Sequence, residues 1–87
     1  MTIKKVAFNC EESLHMKAIA MLIQKASAYK SSIYLAKGDR RANAKSLLGV
    51  MSLGIENGME IAVSADGPDE EEACVAIADY LKNPDVQ

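Results

Sequence analysis

Histidine is almost missing from this chain: one imidazole in 87 residues, at position 15, rules out a multi-histidine metal site within it. Cysteine is nearly as scarce. Cys10 and Cys74 stand far apart and form no Cys-x-x-Cys pair, so neither a redox motif nor a zinc site is signalled. Positive charge is not in excess, because ten Lys/Arg against twelve Asp/Glu leave a net charge of -2 and a pI near 5.3. That balance argues against an electrostatically driven nucleic-acid or polyanion binder. No apolar run approaches the ~18 residues that would cross a bilayer, and Met1-Thr2-Ile3-Lys4-Lys5-Val6 is too short and polar for a signal peptide. The expectation is a cytoplasmic protein. Repeats, linkers and low-complexity stretches are also lacking.

What is present suits one small globular domain, residues 1–87, at 49% hydrophobic and 25% charged. A chain of this size buries roughly 60–65% of its unfolded surface. Its expected stability of about 4–13 kcal/mol needs no disulfide, metal or cofactor.

Hydrophobic spacing sets out the elements. Residues 2–9 alternate as a strand, with Val6 and Phe8 on one face and Lys5 and Ala7 on the other. A helical stripe follows at Ile19, Leu22, Ile23, Ala26 and Tyr29, opposite Gln24, Lys25 and Ala28. Ser31-Ser32 breaks it. A strand over 32–37 points Ile33 and Leu35 inward, and Gly38-Asp39 turns the chain into a hairpin partner at 40–44 with Ala42 and Ala44 inward. Ser46 is placed to N-cap a short helix at 47–53, and Gly54 and Gly58 bracket its exit. Residues 59–65 alternate again with Ile61, Val63 and Ala65 inward. Asp69 then reads as the N-cap of a last helix that buries Ala73, Cys74, Ile77 and Leu81 and ends by Pro84.

The order is therefore βαββαβα. One apolar face per strand puts all three helices on one side of a four-stranded sheet. A right-handed crossover leaves a gap between the first two strands that the fourth fills antiparallel to both. The expected fold class is α/β (α+β), an open-faced β-sandwich with strand order 1-4-2-3.

Two positions join a phosphorylatable side chain to a helix start. His15 stands just before the first helix and Ser46 just before the second, where unpaired backbone N–H groups and the dipole favour a phosphoryl group. A histidine takes phosphate on a ring nitrogen as a labile N–P bond, and Lys17 supplies a cation one turn on. A solvated capping histidine is the plainer alternative. Ser46 has its own plain alternative as an ordinary cap, yet Leu47, Leu48 and Met51 crowd a helix too short to bury them all. An apolar patch beside a phosphorylatable cap results, and added phosphate would bring about -2 charge next to it. Glu11 and Glu12 read as solvated, Asp69 to Glu72 as a helix start and not a metal cluster, and Cys10 as a loop residue with partial exposure. Lys4-Lys5 and Arg40-Arg41 read as charges that deter edge-strand aggregation.

Ser13-Leu14-His15-Met16-Lys17-Ala18-Ile19-Ala20 resembles the active-site segment of HPr, the histidine-containing phosphocarrier family of the bacterial sugar phosphotransferase system. Asn43 to Gly54 resembles that family's regulatory serine segment more closely, and the likeness extends over nearly the whole chain. The resemblance implies a stoichiometric phosphoryl carrier rather than a turnover enzyme. His15 would accept phosphate from enzyme I and pass it to sugar-specific IIA components. Lys17 and the backbone N–H groups of Met16, Lys17 and Ala18 would hold it, and Ala20, Leu47, Leu48 and Met51 would form the docking patch. Ser46 would be the regulatory phosphosite of an HPr kinase/phosphorylase, its phosphorylated form a corepressor for a catabolite regulator of the lactose-repressor family. No metal, direct nucleic-acid contact or membrane insertion is implied.

The active-site segment departs from the family's pattern at four places. Ser13 stands for Gly, Met16 for Ala, Lys17 for Arg and Ala18 for Pro. Lysine keeps the charge but loses the planar fork, worth ~1–2 kcal/mol and about tenfold in rate. The alternative reading is thus a regulatory module acting through phospho-Ser46 with little or no sugar phosphotransfer.

Overall fold

The computed structural model describes residues 1–10 and 15–84. Its elements are β1 (Thr2–Ala7), α1 (His15–Ser27), β2 (Ser32–Lys37), β3 (Arg40–Asn43), α2 (Leu47–Leu53), β4 (Glu60–Asp66) and α3 (Glu70–Lys82). They form one antiparallel sheet in the order β1-β4-β2-β3 with the helices on one face, an α+β open-faced sandwich as the periodicity indicates.

Register follows burial. Leu35 lies opposite Ala42 on one side and Val63 on the other, and Ile33 opposite Ala65. All five are buried, so a one-residue slip would turn this row out to solvent. Against it pack Ala18, Ile19, Leu22 and Ala26 of α1, Val50 and Leu53 of α2, and Ala73, Cys74, Ile77 and Leu81 of α3. Burial pushes the Cys74 thiol up from its ordinary value, and its Sγ donates to the Val63 carbonyl. It is a core side chain.

Several boundaries differ from the sequence reading. Strand pairing of β1 ends at Ala7, not residue 9, although Phe8 continues the alternation and is buried. β3 stops at Asn43 and β4 runs Glu60–Asp66, each one residue from expectation. Tyr29 lies beyond the end of α1. Cys10 is buried, not partly exposed, in a segment that Asn9 holds against the end of α3.

Asp69 occupies the N-cap position of α3 but makes no side-chain cap bond. Its carboxylate instead accepts from the backbone N–H groups of Lys30 and Ser31, each at 2.9 Å, and from the Ser31 hydroxyl. Those donors hold its carboxyl below the usual range, the Ser31 hydroxyl most of all. Two loops are thereby tied together at one end of the sheet. Gly67 makes room for the tie: with φ at 154°, a Cβ there would lie 2.7 Å from Ser31 Cα. Nearby, Glu70 pairs with the Met1 amine at 2.9 Å and accepts from Thr2 Oγ1 at 2.8 Å, fastening β1 to α3.

Candidate functional site

The site begins where β1 ends. Phe8 N–H donates to Met59 O at 2.9 Å and Gly58 N–H donates to Phe8 O at 2.6 Å, so residues 58–59 run alongside the end of β1. Asn9 N–H donates to Leu81 O and Asn9 Nδ2 to Lys82 O, both at 3.2 Å, which pins the segment to the last turn of α3. Cys10 N–H donates to Asn57 Oδ1 at 3.0 Å. Two separate parts of the chain, residues 57–59 and the end of α3, thus fix residues 8–10.

His15 lies against this segment. It is the first residue of α1 rather than the one before it, half-buried, with its ring 5.2 Å from the Phe8 ring and tilted 54° to it. Nε2 is 2.9 Å from the Cys10 carbonyl oxygen. A carbonyl only accepts, so Nε2 carries the proton and, in the neutral ring, the lone pair sits on Nδ1. The imidazole therefore presents one defined nucleophilic nitrogen.

The neighbours of His15 divide by exposure. Met16 and Lys17 are exposed in the first turn of α1, with the Lys17 ammonium free to reach solvent-side anions, and Ala20 is exposed one turn on. Ala18 is buried, and its carbonyl accepts from Tyr80 Oη at 2.9 Å, which ties the start of α1 to α3. Glu11 and Glu12, read from the sequence as solvated, and the departure at Ser13 lie outside the described residues.

Ser46 sits at the head of α2 as its spacing indicates. Its backbone is extended, with φ -111° and ψ 114°, and its Oγ accepts from Gly49 N–H at 3.2 Å. Gly54, at φ 67°, closes the helix through Met51 O. Seven residues make barely two turns, so only Val50 and Leu53 reach the core. Leu47 (46% exposed), Leu48 (79%) and Met51 (43%) stay at the surface, and α2 packs beside α1. Among the described residues, no group of three or more His, Cys, Asp or Glu could hold a metal ion. No described helix is long and apolar enough to cross a membrane.

Sequence reasoning missed Asn57, Asn9 and the Cys10 carbonyl. Gly58 marks only the exit from the short helix in the sequence, Asn57 beside it carries no signal of its own, and a backbone carbonyl leaves no mark in residue type.

A family model described as the PTS HPr component phosphorylation site matches residues 3–83. The chain belongs to the HPr family. Its likeness to HPr proteins holds in sequence and in fold. It is 34% identical over 79 residues to the HPr-like protein Crh of Bacillus subtilis (strain 168), an alignment covering 91% of this chain and 93% of Crh. HPr-C-His from Thermoanaerobacter tengcongensis superposes with a TM-score of 0.89 at 36% identity, covering 94% of this chain and 92% of that one. The phosphocarrier protein HPr of Bacillus anthracis gives 0.87 at 34% identity, covering 92% and 95%. HPr-family phosphocarriers work within the sugar phosphotransferase system, with enzyme I and IIA components as their general partners.

Proposed function

We propose that this protein carries a phosphoryl group on His15 Nδ1 between enzyme I and sugar-specific IIA components. The observation that carries the reading is the bond from His15 Nε2–H to the Cys10 carbonyl, which leaves Nδ1 as the attacking atom. Nδ1 donates its lone pair to phosphorus as the bond from phosphorus to the donor breaks, and the electron pair of that bond leaves with the donor. The Nε2–H stays where it was, so no proton has to move between ring and solvent. Transfer to a IIA component is the same step in reverse, with the acceptor's nucleophile displacing Nδ1. Lys17 and the N–H groups of residues 16–18 balance the charge on the phosphoryl oxygens. Lysine does so as a point charge rather than a fork.

Ala20, Leu47, Leu48 and Met51 form the surface on which partners dock. Their exposure supports this, since aliphatic side chains left at the surface together mark an interaction patch. Ser46 is the regulatory phosphosite, read by an HPr kinase/phosphorylase. The likeness to Crh supports a further role as corepressor of a lactose-repressor-family regulator in catabolite repression. A phosphate on Ser46 Oγ replaces a neutral cap with a dianionic one beside the docking surface, favouring the helix start and altering what docks. The setting for this chemistry is the cytoplasm.

The test is incubation with phosphoenolpyruvate and the host's enzyme I, followed by intact mass. An acid-labile phosphate that is absent from His15→Ala supports the carrier reading. An unlabelled protein, beside an authentic HPr labelled in the same tube, removes that reading and leaves Ser46 as the residue that matters.

A further inference from the structure

We propose that Asn57 is a positioning residue for His15, acting through the backbone of Cys10. The inference rests on His15 being the phosphoryl acceptor. Asn57 Oδ1 accepts from Cys10 N–H at 3.0 Å, and the Cys10 carbonyl accepts from His15 Nε2–H at 2.9 Å. Both bonds land on one residue, on either side of a single Cα. Holding the amide restrains the backbone at Cys10 and so the carbonyl one Cα on, and the carbonyl orients the ring.

The side chain does this because of where the strand ladder ends. Ordinary pairing of β1 with β4 stops at Ala7 opposite Glu60. Phe8 N–H to Met59 O and Gly58 N–H to Phe8 O carry the two segments onward for one residue. Asn9 N–H turns the other way, to Leu81 O, and the next donor that meets this segment is Cys10 N–H, received by the Asn57 side-chain oxygen. An asparagine amide thus takes the place of a backbone carbonyl and extends the paired structure as far as the histidine. Asn57 is itself exposed, so its packing is not what its substitution removes.

Without this bond, the backbone of Cys10 loses one of its restraints, and the carbonyl that receives the ring Nε2–H is held less firmly. The nucleophilic nitrogen is then less firmly oriented and no longer the only one available. A single part-buried hydrogen bond of this kind corresponds to a change of about three- to tenfold. Asn57→Asp keeps an oxygen at the same reach and is the conservative rescue.

Ring ¹H–¹⁵N correlation spectra of the unphosphorylated protein decide the matter, beside the maximal rate of phosphorylation by enzyme I. The wild type is expected to show one Nε2–H tautomer with a ring proton sheltered from solvent exchange. In Asn57→Ala, that exchange should quicken about three- to tenfold, with a second tautomer appearing and the maximal rate falling by a similar factor. Asn57→Asp should keep both wild-type values. If Asn57→Ala does not fold, Asn57→Asp decides alone, and a solvent-exchanged ring proton there overturns the proposal. So does a folded Asn57→Ala with an unchanged ring spectrum and rate. Should the wild type take no phosphate at all, the carrier reading fails while the ring spectra still judge Asn57.

Discussion

At the scale of single residues, the site turns on which atoms of His15 and Lys17 are free. His15 has one nitrogen committed to a carbonyl, which leaves the lone pair of the neutral ring on the other. Lys17 is exposed and offers a single compact charge. Restoring a guanidinium fork should therefore speed transfer: Lys17→Arg is expected to raise the maximal phosphorylation rate by enzyme I up to about tenfold. Stopped-time labelling of the two proteins in parallel checks this. His15, Lys17 and Ser46 stand out as candidates in the sequence because each is a reactive or charged side chain at a helix start. Asn57 is not legible, since its effect passes through the amide of Cys10, a residue remote in sequence and different in chemistry. Asp69 misled for a related reason. Its position suits a cap, but the N–H groups of Lys30 and Ser31 claim its oxygens, and only folding brings that loop to it.

At the scale of elements, α2 is where sequence and structure agree most closely, running Leu47–Leu53 between Ser46 and Gly54. Cap chemistry at both ends marks so short a helix better than hydrophobic spacing does. β1 shows the opposite case. Alternation runs on through Phe8, which is buried, while pairing stops at Ala7, because burial and strand pairing are separate requirements. The cap also carries a measurable consequence. Ser46→Ala should cost about 0.5–2 kcal/mol of stability, since Gly49 N–H loses its partner, whereas Ser46→Asp should keep most of it. Urea unfolding of the three proteins at neutral pH tests both changes. Docking of partners to Leu48 should respond to Ser46→Asp even so, because the charge at the patch has changed.

At the scale of the whole molecule, the carboxylate of Asp69 holds the α1–β2 and β4–α3 connections together at one end of the sheet. Its carboxyl titrates below the ordinary range, chiefly because of the Ser31 hydroxyl. The native state therefore binds that proton less readily than the unfolded chain does. The contribution is complete above the unfolded value of about 4 and is lost as pH falls through the lower folded value. The melting temperature of the wild type should accordingly drop on acidification below about pH 4. Asp69→Asn should melt lower at neutral pH and show a shallower acid decline, as thermal scans across that range would display. Strand order was legible because each strand has one apolar face and handedness leaves few ways to connect them. The tie at Asp69 was not, since it depends on Gly67 letting two backbones approach closely.

The last turn of α3 grips the chain on both sides of His15. Tyr80 Oη donates to the Ala18 carbonyl after it, and the Leu81 carbonyl receives Asn9 N–H before it. Helix ends open more readily than sheet centres, and groups bonded to them open with them. The protection of Asn9 N–H against deuterium should therefore match the final amides of α3 and fall short of those in the middle of β1, although Asn9 follows β1 directly. Native-state exchange read residue by residue would show it. The histidine's rigidity then depends, beside the bond from Asn57, on the lifetime of a helix terminus that lies far from it along the chain.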